Sequence, residues 1–230
     1  MPSRKFELGG AARPMRGFYA ILDAPASWLD DPEALERRAR QLLAAQPCCL
    51  QLRAKGSSAG ALAAAARSLV RLCRGGGVPF CVNDRLDVAL SVGADVVHLG
   101  QDDLPLAEAL RVRAAFGRPD LLIGFSTHDR AQAVAAAAGG ADYIGFGPVF
   151  TTGSKTNPDP VVGLDQLADV CRTVSVPVVA IGGIALEAVG SVAAAGASAA
   201  ALIAAISTAS DPTAAGLQIR AAFQAPSASA

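Results

Sequence analysis

Short apolar runs recur along this chain at intervals of roughly 20 to 30 residues, each closed by polar or glycine punctuation and followed by a longer alanine-rich stretch of helical pattern. That rhythm specifies βα units. The runs fall near residues 18–22, 49–52, 80–82, 96–99, 122–125, 143–146, 178–181 and 200–203. Helical patterns between them include 32–45, with Asp31 as cap and Pro32 at the first helical position, and 129–138, beginning near Thr127. Eight such units close most simply into a single-domain α/β fold, the (β/α)8 or TIM barrel. An open doubly wound sheet is the alternative, because periodicity alone does not establish closure. Both folds put a site at the carboxyl ends of the strands.

A chain of 230 residues that is 52% hydrophobic can bury one large α/β core, and two independent domains would be cramped. Residues 1–16 are expected as a mobile tail, 17–222 as the barrel and 223–230 as a second tail. Twenty basic and twenty acidic residues cancel, so no net field draws nucleic acid or an anionic membrane, and affinity for anions must be local. The five cysteines are odd in number and lack CxxC spacing, which reads as buried thiols in a reducing compartment. With neither a secretory pattern at the start nor a run of membrane-spanning length, the expected address is the cytoplasm.

Two acidic turns close neighbouring runs: Val82-Asn83-Asp84-Arg85 and Gly100-Gln101-Asp102-Asp103. Carboxylates placed where adjacent strands stop can meet over one divalent cation. A ligand set of oxygen alone favours a hard ion such as Mg²⁺, which keeps waters and is completed by a substrate phosphate. The pair therefore points to a phosphorylated substrate; the plainer alternative is that Asp84 and Asp103 are loop acids or helix caps. Asp102 competes with Asp103, spacing does not choose between them, and Gln101 is placed to orient either. Asn83 can donate its amide to a phosphate oxygen that the metal also touches. Arg85 and Asp87 form a local pair at a helix start, whereas Asp95 and Asp142 precede their strands and brace the opposite face.

In Leu50-Gln51-Leu52-Arg53-Ala54-Lys55 the polar residues fall at every second position, so an extended strand sends Gln51, Arg53 and Lys55 to one side. A guanidinium grips phosphate bidentately and an ammonium adds a point charge, a set suited to a diphosphate. The alternative, a solvated strand edge, does not exist in a closed barrel. Gly124-Phe125-Ser126-Thr127-His128 puts the Ser126 hydroxyl at a strand tip, able to donate to a substrate nitrogen or phosphate. As a nucleophile Ser126 lacks an evident triad partner in a chain with only two histidines. His98, inside a strand, is expected as a satisfied barrel histidine; His128 is either a helix-start residue or a general acid/base.

The sixth run leads into Gly147-Pro148-Val149-Phe150-Thr151-Thr152-Gly153-Ser154-Lys155. Glycine there lets backbone amides turn toward an anion and Lys155 adds charge; the spacing is not that of a P-loop, and the segment can equally serve as a lid. Ala180-Ile181-Gly182-Gly183-Ile184 and the last run, ending at Ile203-Ala204, present bare backbone where barrels commonly bind phosphate.

Together these motifs resemble the thiamine monophosphate synthase family, (β/α)8 transferases of thiamine biosynthesis that also include the thiazole tautomerase. The resemblance spans residues 19–206, with Gln51-Leu52-Arg53, Asn83-Asp84-Arg85, His98-Leu99-Gly100-Gln101, Asp142-Tyr143-Ile144-Gly145 and the Ala180–Ile184 motif in order. It implies condensation of 4-amino-2-methyl-5-hydroxymethylpyrimidine diphosphate with thiazole phosphate, giving thiamine phosphate and diphosphate by a dissociative, Mg²⁺-assisted route. The resemblance further implies Mg²⁺ on Asp84 and Asp103, with Asp102 set aside. Gln51, Arg53, Lys55, Asn83, Ser126 and Lys155 would contact the pyrimidine diphosphate, with Arg53, Ser126 and Lys155 catalytic. Thr152, Gly153, Ser154 and the amides at Gly183, Ile203 and Ala204 would bind the thiazole phosphate. The partners are then small phosphorylated molecules, and a homo-oligomer is compatible with them.

Four places depart from the family pattern: Ser154 for a threonine, Ala188 for an asparagine, Ala204 for a serine, and Val96-Val97 where the family has a small residue before the histidine of the fourth strand. The rival within the family is the tautomerase, whose catalytic histidine aligns with His128. Asp84, Asp103 and Lys155 together favour the synthase. A non-catalytic sensor of a phosphorylated ligand is the rival from another class.

Overall fold

Inward and outward side chains alternate along eight parallel strands, and that alternation builds the fold. The computed structural model describes residues 5–8, 11–153 and 159–224. An antiparallel ribbon of β1 (Lys5–Leu8) and β2 (Ala11–Pro14) comes first and pairs with itself alone. The barrel follows as β3 (Gly17–Asp23), α1 (Ala26–Leu29), α2 (Pro32–Ala44), β4 (Cys49–Arg53), α3 (Ala59–Gly76), β5 (Phe80–Asn83), α4 (Leu86–Val92), β6 (Val96–Leu99) and α5 (Leu106–Ala115). Its second half is β7 (Leu122–Thr127), α6 (Arg130–Ala138), β8 (Tyr143–Phe146), α7 (Gly163–Thr173), β9 (Val178–Ile181), α8 (Val189–Ala194), β10 (Ala199–Leu202), α9 (Ala204–Ser207) and α10 (Pro212–Ala222).

Neighbouring strands pair in sequence order, and β10 returns to pair with β3, which closes the barrel and removes the open-sheet alternative. Outward residues such as Phe18, Leu50, Phe80, Val97, Ile144 and Ala200 join the helices in one core. Inward residues Tyr19, Ile21, Cys49, Cys81, Val96, Tyr143, Val179 and Ala201 fill the barrel itself. All five cysteines are without a disulfide, and four are buried.

Three strands run past the sequence expectation because their polar tips remain in the ladder. β4 runs on to Arg53, β5 to Asn83 and β7 to Thr127, while β10 stops at Leu202 and leaves Ile203 outside. Helix α6 starts on Asp129, whose carboxylate accepts from Gln132 N; Thr127 is buried and donates to Gly145 O. At the barrel's base Met15 is buried, and Arg16 donates to the carbonyl of buried Phe223 at 3.0 Å. The expected tails thus contribute Met15, Arg16 and Phe223 to the folded body. No helix among the described residues is long and apolar enough to cross a membrane.

Candidate active site

Parallel register decides which polar residues share the barrel mouth. It pairs Asp23 with Arg53, Gln51 with Cys81, Asn83 with His98 and Ser126 with Gly145, all on the inward face. Gln51 Nε2 donates to Asn83 Oδ1 at 3.1 Å, and Arg53 Nη1 donates to Asp23 Oδ1 at 2.5 Å. The strand reading of Gln51 and Arg53 is therefore met in geometry. Lys55 lies two residues past the end of β4 and is exposed. Asp23 escaped notice, although an acid closing the first apolar run repeats the pattern that singled out Asp84.

A tight turn follows β5. Asp84 N donates to His98 O and Arg85 N to Asn83 O, both at 2.8 Å, and Asp84 is left at φ +64°, a region that a non-glycine residue enters at a cost. This turn brings the Asp84 carboxyl against that of Asp103, whose Oδ2 is held by Gly100 N at 2.7 Å. Burial first, then the Asp103 carboxyl, push the Asp84 pKa up to about 6, while the charges of Lys55 and Arg53 pull it down. Asp102 is exposed, so Asp103 is the acid that faces Asp84. Gln101 orients neither acid; its Nε2 donates to Ser126 O. Arg85 pairs with Asp87 as expected.

Below this rim a polar track crosses the barrel. Ser126 Oγ lies 2.9 Å from His98 Nε2, His98 Nδ1 is 3.0 Å from Tyr143 Oη, and Tyr143 Oη is 2.9 Å from Tyr19 Oη. Ser126 thus has a histidine partner that the sequence reading did not supply. A phenol rather than a carboxylate stands on the far side of that histidine, so the arrangement is not a triad. Burial depresses the His98 pKa to about 4, against a smaller upward pull from Asp103, and the ring is neutral near pH 7. His128 has both nitrogens engaged: Nδ1 donates to Gly147 O at 2.7 Å and Nε2 lies 3.5 Å from Asp159 Oδ2.

Across the mouth the site is backbone. Val149 N donates to Ile181 O and Phe150 N to Gly182 O, so the chain leaving β8 clasps the chain leaving β9. A Cβ on Gly147 would stand 2.0 Å from Ile181 O, and one on Gly183 2.3 Å from Thr151 O. The close approach requires glycine and leaves Gly183 exposed at the mouth. Thr152 and Gly153 follow on the same segment, and Ile203 with Ala204 turns from β10 into α9 on the next strand. Ser154 and Lys155 lie outside the described residues.

Comparison with known proteins bears on the family and the fold. The family profile described as thiamine monophosphate synthase matches residues 18–206. The chain is 45% identical over 209 residues to the thiamine-phosphate synthase of Anaeromyxobacter dehalogenans, covering 91% of this chain and 88% of that one. It is 46% identical to the thiamine-phosphate synthase of Methanocella arvoryzae, covering 88% and 92%. Among solved structures, the thiamine phosphate pyrophosphorylase of Pyrococcus furiosus superposes with a TM-score of 0.78 at 33% identity, over 91% of this chain and 96% of that one.

Proposed function

The chain belongs to the thiamine monophosphate synthase family, and from that premise we propose how its barrel mouth divides the work of the reaction. The activity is that of a thiamine-phosphate synthase, a transferase. One observation carries the assignment of roles: the Asp84 and Asp103 carboxyls face each other at the tips of β5 and β6 with Arg53 and Lys55 close enough to act on Asp84.

Two facing carboxylates with no Cys or His suit a hard cation. Among the described residues no group of three or more His, Cys, Asp or Glu converges there, so waters and a substrate phosphate would complete the shell. Asp84 and Asp103 would hold Mg²⁺, which when bound neutralises charge on the diphosphate. The remaining steps fall to the protein. Arg53, anchored to Asp23 through one nitrogen, keeps other N–H groups for the diphosphate. Asn83, with its oxygen occupied by Gln51, presents its NH₂. Lys55 adds charge to that side, and Lys155, outside the described residues, would supply a further cation for the diphosphate.

The pyrimidine methylene carbon loses its bond to the diphosphate oxygen, and the thiazole nitrogen forms the new bond to that carbon. A dissociative order suits a mouth that offers cations for the leaving group and needs no side chain to act as base or nucleophile. Ser126 donates to the pyrimidine, while Thr152, Gly153, Ser154 and the amides of Gly183, Ile203 and Ala204 bind the thiazole phosphate. Holding both reactants supplies much of the remaining rate. The tautomerase alternative finds less support, because His128 is already engaged on both nitrogens.

The test is direct. Purified protein with both phosphorylated substrates and Mg²⁺ is expected to form thiamine phosphate, and absence of product with intact binding of thiazole phosphate would overturn the assignment.

A further inference from the structure

A barrel interior is ordinarily packed with branched aliphatic side chains, yet here two phenols and an imidazole occupy its centre. Space has been cleared for them. A Cβ on Gly124 would stand 2.1 Å from Tyr143 Cζ, and one on Gly145 3.1 Å from His98 Cε1. Two strands give up a side chain so that these rings can line up below Ser126.

The track can be polarised in two directions, and bond chemistry distinguishes them. In one, Tyr19 donates to Tyr143, Tyr143 donates to His98 Nδ1, and His98 Nε2–H donates to Ser126 Oγ. In the other every donor reverses, and Tyr19 must give its proton to the neighbouring thiols Cys49 and Cys81, whose sulfurs are weak acceptors. That direction also spends the imidazole N–H on a phenol oxygen and the Ser126 proton on the histidine. The first direction sets phenol donors on an imidazole acceptor and polarises each bond by the next.

We propose that His98 is the positioning residue for Ser126: Tyr19 and Tyr143 fix its tautomer, Nε2–H holds Ser126 Oγ, and the Ser126 proton is left for an acceptor nitrogen of the pyrimidine ring. The substrate half of this proposal rests on the reading of Ser126 given above. Gln101 holds the Ser126 carbonyl from the other side, so backbone and hydroxyl are both fixed.

Labelling the ring nitrogens with ¹⁵N reads the tautomer without substrate, and with only two histidines the His98→Gln variant assigns the signals. A neutral His98 with its proton on Nε2 is expected at pH 7, losing its single tautomer in Tyr143→Phe or, should that protein not fold, in Tyr19→Phe. A proton on Nδ1 in the parent protein, or a tautomer unmoved by the loss of the phenol, would overturn the proposal. Steady-state kinetics test the consequence. His98→Asn, whose amide falls near the Nδ1 position, is expected to raise KM for the pyrimidine diphosphate about threefold to tenfold, with KM for thiazole phosphate unchanged. His98→Gln, whose amide reaches the Nε2 position, is expected to retain most of the affinity, and His98→Asn is expected to add nothing in a Ser126→Ala background. Equal effects of Gln and Asn, or additivity with Ser126→Ala, would sink it. A parent protein that forms no thiamine phosphate would overturn the functional reading instead, leaving the tautomer result to stand.

Discussion

Aspartates occupy both ends of this barrel and do opposite things. At the amino-terminal end Asp95 accepts from Phe80 N at 2.9 Å, and Asp142 accepts from Ile123 N while pairing with Arg113 at 2.7 Å. Each ties strand to strand. At the mouth Asp84 and Asp103 face one another, one of them from a left-handed turn. Burial raises the pKa of Asp95 as well, so an elevated carboxyl does not by itself mark a site. The partner does: a backbone amide or arginine at the base, a second carboxylate at the mouth. A fold gains from the first arrangement and loses from the second, and such a loss persists where a bound ion or substrate reverses it.

Substitutions at the two ends should separate activity from stability. Asp84→Ala is expected to lower kcat about a hundredfold to a thousandfold without lowering the melting temperature; parallel loss of both would make it a structural acid like those at the base. Asp142→Ala is expected to cost about 3 kcal/mol in urea unfolding, because it strands the half-buried Arg113, with kcat per folded molecule unchanged. Loss of rate at full stability would erase the distinction.

The neutral histidine beneath the mouth gives a pH signature. Its pKa lies at about 4 in the folded chain against an ordinary 6.5, so as pH falls below 6.5 the unfolded chain takes the proton first. The stability present above pH 6.5 is lost between 6.5 and 4, by about 2 to 3 kcal/mol, and then levels. Comparing the parent with His98→Gln isolates this loss from the opposite slope of Asp84, whose raised pKa costs stability as pH rises from 3.8 to 6. An identical pH dependence in both proteins would place the ring in solvent. Smaller still, Asp84→Gly should gain about 1 kcal/mol by relieving the left-handed turn and the facing charge. A loss in thermal unfolding would mean that the carboxylate supports the turn.

Much of the mouth was legible because polar residues at every second position of an apolar run can face only one way. Gln51 and Arg53 came from that rule, Asn83 and Asp84 from an acidic turn that closes a strand, the bracing roles of Asp95 and Asp142 from their places before their strands, and Arg85 with Asp87 from proximity in sequence. What escaped involves partners far apart in sequence. Asp23 pairs with Arg53 across 30 residues, His98 with Ser126 across 28 and Tyr19 with Tyr143 across 124. Each contact depends on strand register, which a hydrophobic period does not contain. The choice between Asp102 and Asp103 had the same character, since spacing in a loop says nothing about which carboxyl turns inward.

By itself, then, the sequence determined the eight barrel strands and the chemistry at their tips, though not the β1–β2 ribbon that precedes them, because side-chain period and turn residues act over a few neighbours. Tertiary structure alone decided that β10 closes on β3, that the Asp84 and Asp103 carboxyls meet, and that a track of two phenols and an imidazole ends on Ser126. Those are cross-strand distances, and only a closed sheet of defined register brings them within hydrogen-bonding reach.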